Sequence, residues 1–128
     1  MSYYFSKTLD IPFDQAIQRV TEALASRGFG ILTTIDVRAT MKKKLDVDFH
    51  PYTILGACNP QFALKALQSE NKIGTMLPCN VVVQAVGDSQ VEVSAVDPVA
   101  SMQAVKNEKL APIANEVREL LRQFITDL

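Results

Sequence analysis

From Leu110 to Leu128 the chain repeats apolar residues at helical spacing. Leu110, Ile113, Ala114, Val117, Leu121, Phe124, Ile125 and Leu128 fall on one stripe, with mostly polar or charged residues between them. At 3.6 residues per turn this is one wide apolar face over about five turns. A helix so one-sided is stable in water only if another element covers that face. The partner is written just upstream. "CNVVVQAV" (79–86) and "QVEVSAV" (90–96) flank "GDS", the pattern of a β-hairpin. The dominant constraint on this chain is a long terminal helix that must lie on a valine-rich sheet.

The rest supplies more strands and helices. "SYYFSKTL" (2–9) alternates and reads as a strand. Phe13, Ala16, Ile17, Val20 and Leu24 mark a helix that starts near Pro12 and Asp14 and stops at Gly28. "FGILTTI" (29–35) is a second strand. Asp36 caps a short helix carrying Val37, Met41 and Leu45, with Lys42, Lys43 and Lys44 on its solvated side. "YTILGAC" (52–58) is a third strand. Asn59-Pro60 and Asp97-Pro98 are both cap-plus-proline signals, opening a helix over 60–70 and a shorter one after 98. The core order is β-α-β-β-β-β-α with short inserted helices. That predicts an α+β fold with a mostly antiparallel sheet, the two long helices on one face, in a single domain spanning residues 1–128.

The opposite sheet face departs from simple alternation. Val82 and Val86 oppose Val81, Val83 and Ala85; Leu32 and Leu55 oppose Ile31 and Ile54. A sheet with one wet face alternates cleanly. The second face is therefore expected to be partly covered, by the inserted helices and by a second copy in a homodimer.

Composition excludes several classes. A net charge of −1 and one short lysine run give no basic face for a dedicated nucleic-acid binder. No apolar stretch approaches the ~20 residues of a membrane span. "MSYYFSKTLD" lacks the pattern of a signal peptide, so the expected compartment is the cytoplasm, where the two cysteines stay reduced. Two cysteines and one histidine cannot make a four-ligand Cys/His zinc site in one chain. No GxGxxG or P-loop is present. No cofactor is expected, and no catalytic triad spacing is found.

"FHPYTILGACNP", "IGTMLPCNVVV" and "VSAVDP", with "GFGILTTIDV", "KKKLDVDF" and "LAPIANEVRELL", resemble a bacterial and archaeal family, domain of unknown function family 302. The resemblance runs over nearly the whole chain. It implies a TATA-binding-protein-like β-α-β4-α fold and a dimer, and it implies no activity. The signature residues matched are Gly56, Cys58, Asn59, Pro60, Pro78, Cys79, Asn80, Asp97 and Pro98.

The candidate site is the repeated Cys-Asn pair: Cys58-Asn59 and Cys79-Asn80. Cys58 precedes a helix N-terminus, which lowers a thiol pKa and suits persulfide, soft-metal or reversible disulfide chemistry. The alternative is two small core residues, since Cys79 shares parity with Val81 and Val83, and Cys58 with Ile54. Asn59 reads as an N-cap and Asn80 as a strand-start partner, or both amides face one pocket. The pairs are expected at the same sheet end but without a disulfide, on strands taken as not adjacent. His50 reads as a lone surface histidine; Asp46 and Asp48 beside it are a weak hard-metal cluster. The leading function is a dimeric, non-catalytic module holding a small ligand between the sheet and the terminal helix. The rivals are a thiol protein using Cys58 or Cys79 and a structural protein-docking dimer.

Overall fold

The computed structural model describes residues 2–128. In chain order the elements are β1 (Tyr4–Leu9), α1 (Phe13–Ala25), β2 (Gly30–Asp36), α2 (Val37–Leu45), β3 (Tyr52–Cys58), α3 (Pro60–Ser69), a 3-10 turn (Ile73–Met76), β4 (Cys79–Ala85), β5 (Val91–Val96), α4 (Pro98–Ser101) and α5 (Leu110–Asp127). The strands form one antiparallel sheet in the order β1-β5-β4-β3-β2. This is the expected α+β architecture.

Register decides which side chains meet. Directly opposed residues share a face, so Ala57 and Cys79, Leu55 and Val81, Val83 and Val93, and Leu9 and Val91 all lie on the inner side. All are buried. α1 adds Ala16, Val20 and Leu24; α5 adds Val117, Leu121, Phe124 and Ile125 to the same core. Full burial of each large side chain is worth roughly 1.5–3 kcal/mol. The stripe on α5 is thus absorbed by the valine face that precedes it in sequence.

The ends of the helices are fixed locally. Gly28, at φ +85°, closes α1: its N–H donates to Ala25 O at 3.1 Å and that of Phe29 to Leu24 O at 3.0 Å. This paired pattern needs a left-handed residue, which glycine supplies without a Cβ clash. Asp36 caps α2 by accepting from the Ala39 N–H at 2.9 Å, and Asp97 caps α4 through the Val99 N–H at 3.0 Å. Asn59 differs from expectation. Its backbone carbonyl accepts the first α3 bond from Ala63, but its side chain makes no cap bond.

Two basic residues tie down the end of α5. Lys7 lies on the inner parity of edge strand β1, and its ammonium donates to the Thr126 and Leu128 carbonyls, both at 2.9 Å. These are carbonyls a helix end leaves without partners. Arg27 pairs with Asp127. At the other end of the helix layer, buried Asp97 accepts from Arg118 Nε on α5 at 3.1 Å, and that guanidinium lies over the Phe5 ring.

The outer face needs two corrections. Leu55 is in the core, and Ile54 takes the outer position. Leu32 sits where β2 slips register between Ile31 and Thr33, so an irregularity rather than strand parity leaves it 66% exposed. Of the inserted helices, only α2 lies against β2 and β3, away from the α3–α5 layer. α3 packs against α5 on the helical side, and α2 buries none of its residues.

Replacing Leu121, fully buried, with alanine should cost about 2–5 kcal/mol in urea unfolding. Arg122→Ala on the exposed side of α5 should stay within about 0.5 kcal/mol. Deleting residues 117–128 should abolish cooperative melting; an unchanged transition would show that α5 is an appendage.

Candidate functional site

The two Cys-Asn pairs do lie at one end of the sheet. Ala57 pairs with Cys79, so Cys58 is one step beyond on the neighbouring strand. β3 and β4 are adjacent, contrary to the sequence reading, yet both cysteines are free. The reason is parity. Cys79 follows the inner face with Ala57, whereas Cys58 follows the outer face with Ile54 and Gly56. Neighbouring Cβ vectors that point apart cannot be bridged without backbone movement. Cys58 shares parity with Ile54, but as the last residue of β3 it stays half-buried at the sheet end.

Neither thiol is activated. Burial pushes the Cys79 pKa up to about 11, with a smaller contribution from repulsion by a charged Cys58. Burial also raises Cys58. Thiolate is the reactive form, and both environments oppose it despite the α3 N-terminus nearby.

Cys58, Asn59 and Cys79 line a small cavity between the sheet end, α3 and α5. Phe62, Ala66, Ala114 and Val117 make its other walls. Its volume is about 40 Å3. That is room for a few waters at most, well below the ~300 Å3 or more of a ligand pocket. The space exists because alanine and cysteine stand where larger side chains would close it. Asn59 has a packing role here: a Cβ on Gly28 would come within 3.1 Å of its Nδ2, so the amide lies against the glycine turn.

Asn80 is elsewhere. It pairs with Gly56, its side chain is exposed, and it lines a groove of about 420 Å3 on the outer face. The two carboxamides therefore do not share a site. The groove runs over β1, β5 and β4 in successive rows. Tyr4 is level with Val96, Ser94 with Val82, and Glu92 with Gln84. Tyr3 flanks Tyr4, their rings edge to face at 5.0 Å. His50 sits within 3.0 Å of Gln84 Oε1. The Glu92 carboxylate has no ion pair or hydrogen bond among the described residues. Beside Asn80, Gly56 lets the chain close up: a Cβ there would sit 2.2 Å from Thr33 Oγ1 and 2.7 Å from Pro78 Cγ.

Tyr3, Tyr4, Gln84, Glu92 and Ser94 were not singled out in the sequence. A signal was present, since Asn80 and Gln84 share one parity of β4, and Glu92 and Ser94 one parity of β5. Alone it reads only as a wet face. The acidic pair near His50 is occupied differently. Lys42 Nζ lies 2.9 Å from Asp46 and 3.5 Å from Asp48, so a cation already sits between them.

No helix among the described residues is long and apolar enough to cross a membrane. A search of curated proteins finds no match. Among solved structures, the chain is similar to the crystal structure of uncharacterized conserved protein DUF302 from Bacillus stearothermophilus. The TM-score is 0.89 at 25% identity, over 98% of each chain. Residues 5–128 match the family described as Domain of unknown function DUF302. The match spans the sheet, both long helices and both Cys-Asn pairs, and on that evidence the chain belongs to the DUF302 family.

Proposed function

We propose that this chain is a cytoplasmic, dimeric, non-catalytic module that binds a small molecule in the outer groove, with Asn80 in its wall. The observation that carries the reading is the groove itself. At about 420 Å3 it falls in the size range of small-ligand pockets, and the cavity at the Cys-Asn end does not. Its walls mix aromatic and aliphatic surface with a few polar groups, the usual composition of such sites. This moves the expected pocket from the helical side of the sheet to the opposite side.

The sheet edge supports the dimeric part of this reading. β2 is an edge strand, and Leu32, Ile35, Leu45, Val47 and Phe49 are exposed on it or on the segment that follows. Unpaired strand edges and contiguous apolar surface are seldom left open on soluble monomers. The groove lies over the strands at the other edge, several ~4.8 Å strand spacings away. Pairing at β2 and ligand binding are thus compatible.

Oligomeric state, retained ligand and thiol reactivity can each be measured. Sedimentation at micromolar concentration should give twice the 14.1 kDa chain mass, and Leu32→Glu with Phe49→Glu should give the monomer. Native mass spectrometry of protein from its own host should show a retained small molecule that Asn80→Trp displaces. Retention unaffected by that change, with loss on Ala66→Trp, would move the site to the small cavity.

The third concerns the thiols. With its pKa near 11, Cys79 should react with iodoacetamide at neutral pH roughly a hundredfold more slowly in the folded than the unfolded protein. A raised acid pKa means the folded state holds the proton more tightly. Its contribution is present in full below the unfolded value of about 9 and is lost as pH rises toward about 11. Stability should fall through that window by on the order of 2 kcal/mol more in the wild type than in Cys79→Ala. Fast native alkylation of Cys79 would restore the thiol reading.

A further inference from the structure

We infer that the outer groove selects an elongated organic cation, an aromatic ring carrying a short amine arm. This rests on the groove being the ligand site. Glu92 is the one charged side chain in its wall, and no cation within the described residues neutralises it. A half-buried carboxylate with no counter-ion attracts an ammonium and repels an anion. Hydrogen bonds to charged groups are also the stronger ones.

The rest of the groove sets the shape. Glu92 and Val96 are four residues apart on β5, so the Glu92 row and the Tyr4 row are separated by about 13–14 Å at ~3.4 Å per residue. One compact cation cannot reach the carboxylate and the tyrosines together. At the far end, the Tyr3–Tyr4 corner offers an aromatic wall, and Val96 an apolar floor. Edge-to-face partners of this kind favour a planar ring. Asn80, exposed and without a protein hydrogen bond, offers a donor and an acceptor to a polar group on that ring. Ser94 and Val82 lie between the two ends. The order is carboxylate, short neutral middle, aromatic-and-amide end, and an arylalkylamine carries the complementary groups in the same order.

The test is a titration of untagged protein followed by backbone-amide NMR. The probes are tyramine, tyrosol (its alcohol counterpart, without the charge) and butylamine. Tyramine should shift the amides of Asn80, Ser94 and Glu92. Tyrosol and butylamine should each bind roughly tenfold more weakly, the loss of one charged hydrogen bond or of one ring contact. In Glu92→Gln the preference for tyramine over tyrosol should vanish; in Tyr4→Ala the preference over butylamine should. Equal binding of tyramine and tyrosol to the wild type would overturn the cation and leave the groove as the ligand site. Equal binding of tyramine and butylamine would overturn the aromatic half. If none of the three moves those amides, the inference falls. The groove reading falls with it only if the natively retained molecule is also indifferent to Asn80→Trp.

Discussion

The contact on which the rest of the structure depends is the burial of α5 against the inner face of β5 and β1, beside α1 on β4. Val117, Leu121, Phe124 and Ile125 join Val81, Val83, Val91 and Val93 in one continuous core. Without that cover the hairpin would expose its apolar side, and a lone hairpin is marginal in water. Without the hairpin, α5 would have nothing to bury its stripe against. The other long helix completes the same layer through Val20 and Leu24, and polar ties finish it. Lys7 meets the last carbonyls of α5, and Arg118 meets buried Asp97. The anchoring groups come from the β5–α4 junction, 21 positions before Arg118, and from β1, 119 or more positions from the end of α5. Docking of α5 thereby also locks the outermost strand.

Once α5 and α1 occupy one side, the other side of the sheet is free for function. Strand parity is two, so each residue contributing to the core commits its neighbours to the outside. Val81 and Val83 inward place Asn80, Val82 and Gln84 outward; Val91, Val93 and Ala95 inward place Glu92, Ser94 and Val96 outward. The groove is the complement of the core in this literal sense. At β2 the rule is broken by one slip of register, and there the outer surface turns apolar. A single sheet face thus carries a polar, concave half and an apolar edge, with separate physical uses.

The cysteines illustrate how environment overrides local signals. A thiol one residue before a helix start is a reasonable candidate for activation. Here the same helix packs Phe62 and Ala66 around the sheet end, and the low polarity this creates favours the protonated thiol. Cys58 stands one step beyond the strand partner of Cys79, and the two thiols stay unjoined although their strands are neighbours. Cysteine and alanine side chains at that end are best understood as walls of a small apolar space.

The sequence by itself determined the elements, their order, and which face of α5 is buried. These follow from short-range periodicity, and from capping residues such as Asp36, Asp97 and Gly28 that act on their own turn. It also marked Gly56 and Asn80 as notable without saying why. Tertiary structure alone decided the strand order, and therefore that β3 lies beside β4. It assigned Leu55 to the core and Ile54 to the outer face, because the run from Ile54 to Cys58 is apolar at every position and has no parity of its own. It divided the four Cys-Asn residues between two sides of the sheet. Most of all, it assembled Tyr3, Tyr4, Asn80, Gln84, Glu92 and Ser94 from three strands into one groove. Those residues come from segments up to some ninety positions apart, and only long-range pairing fixes which of them stand level.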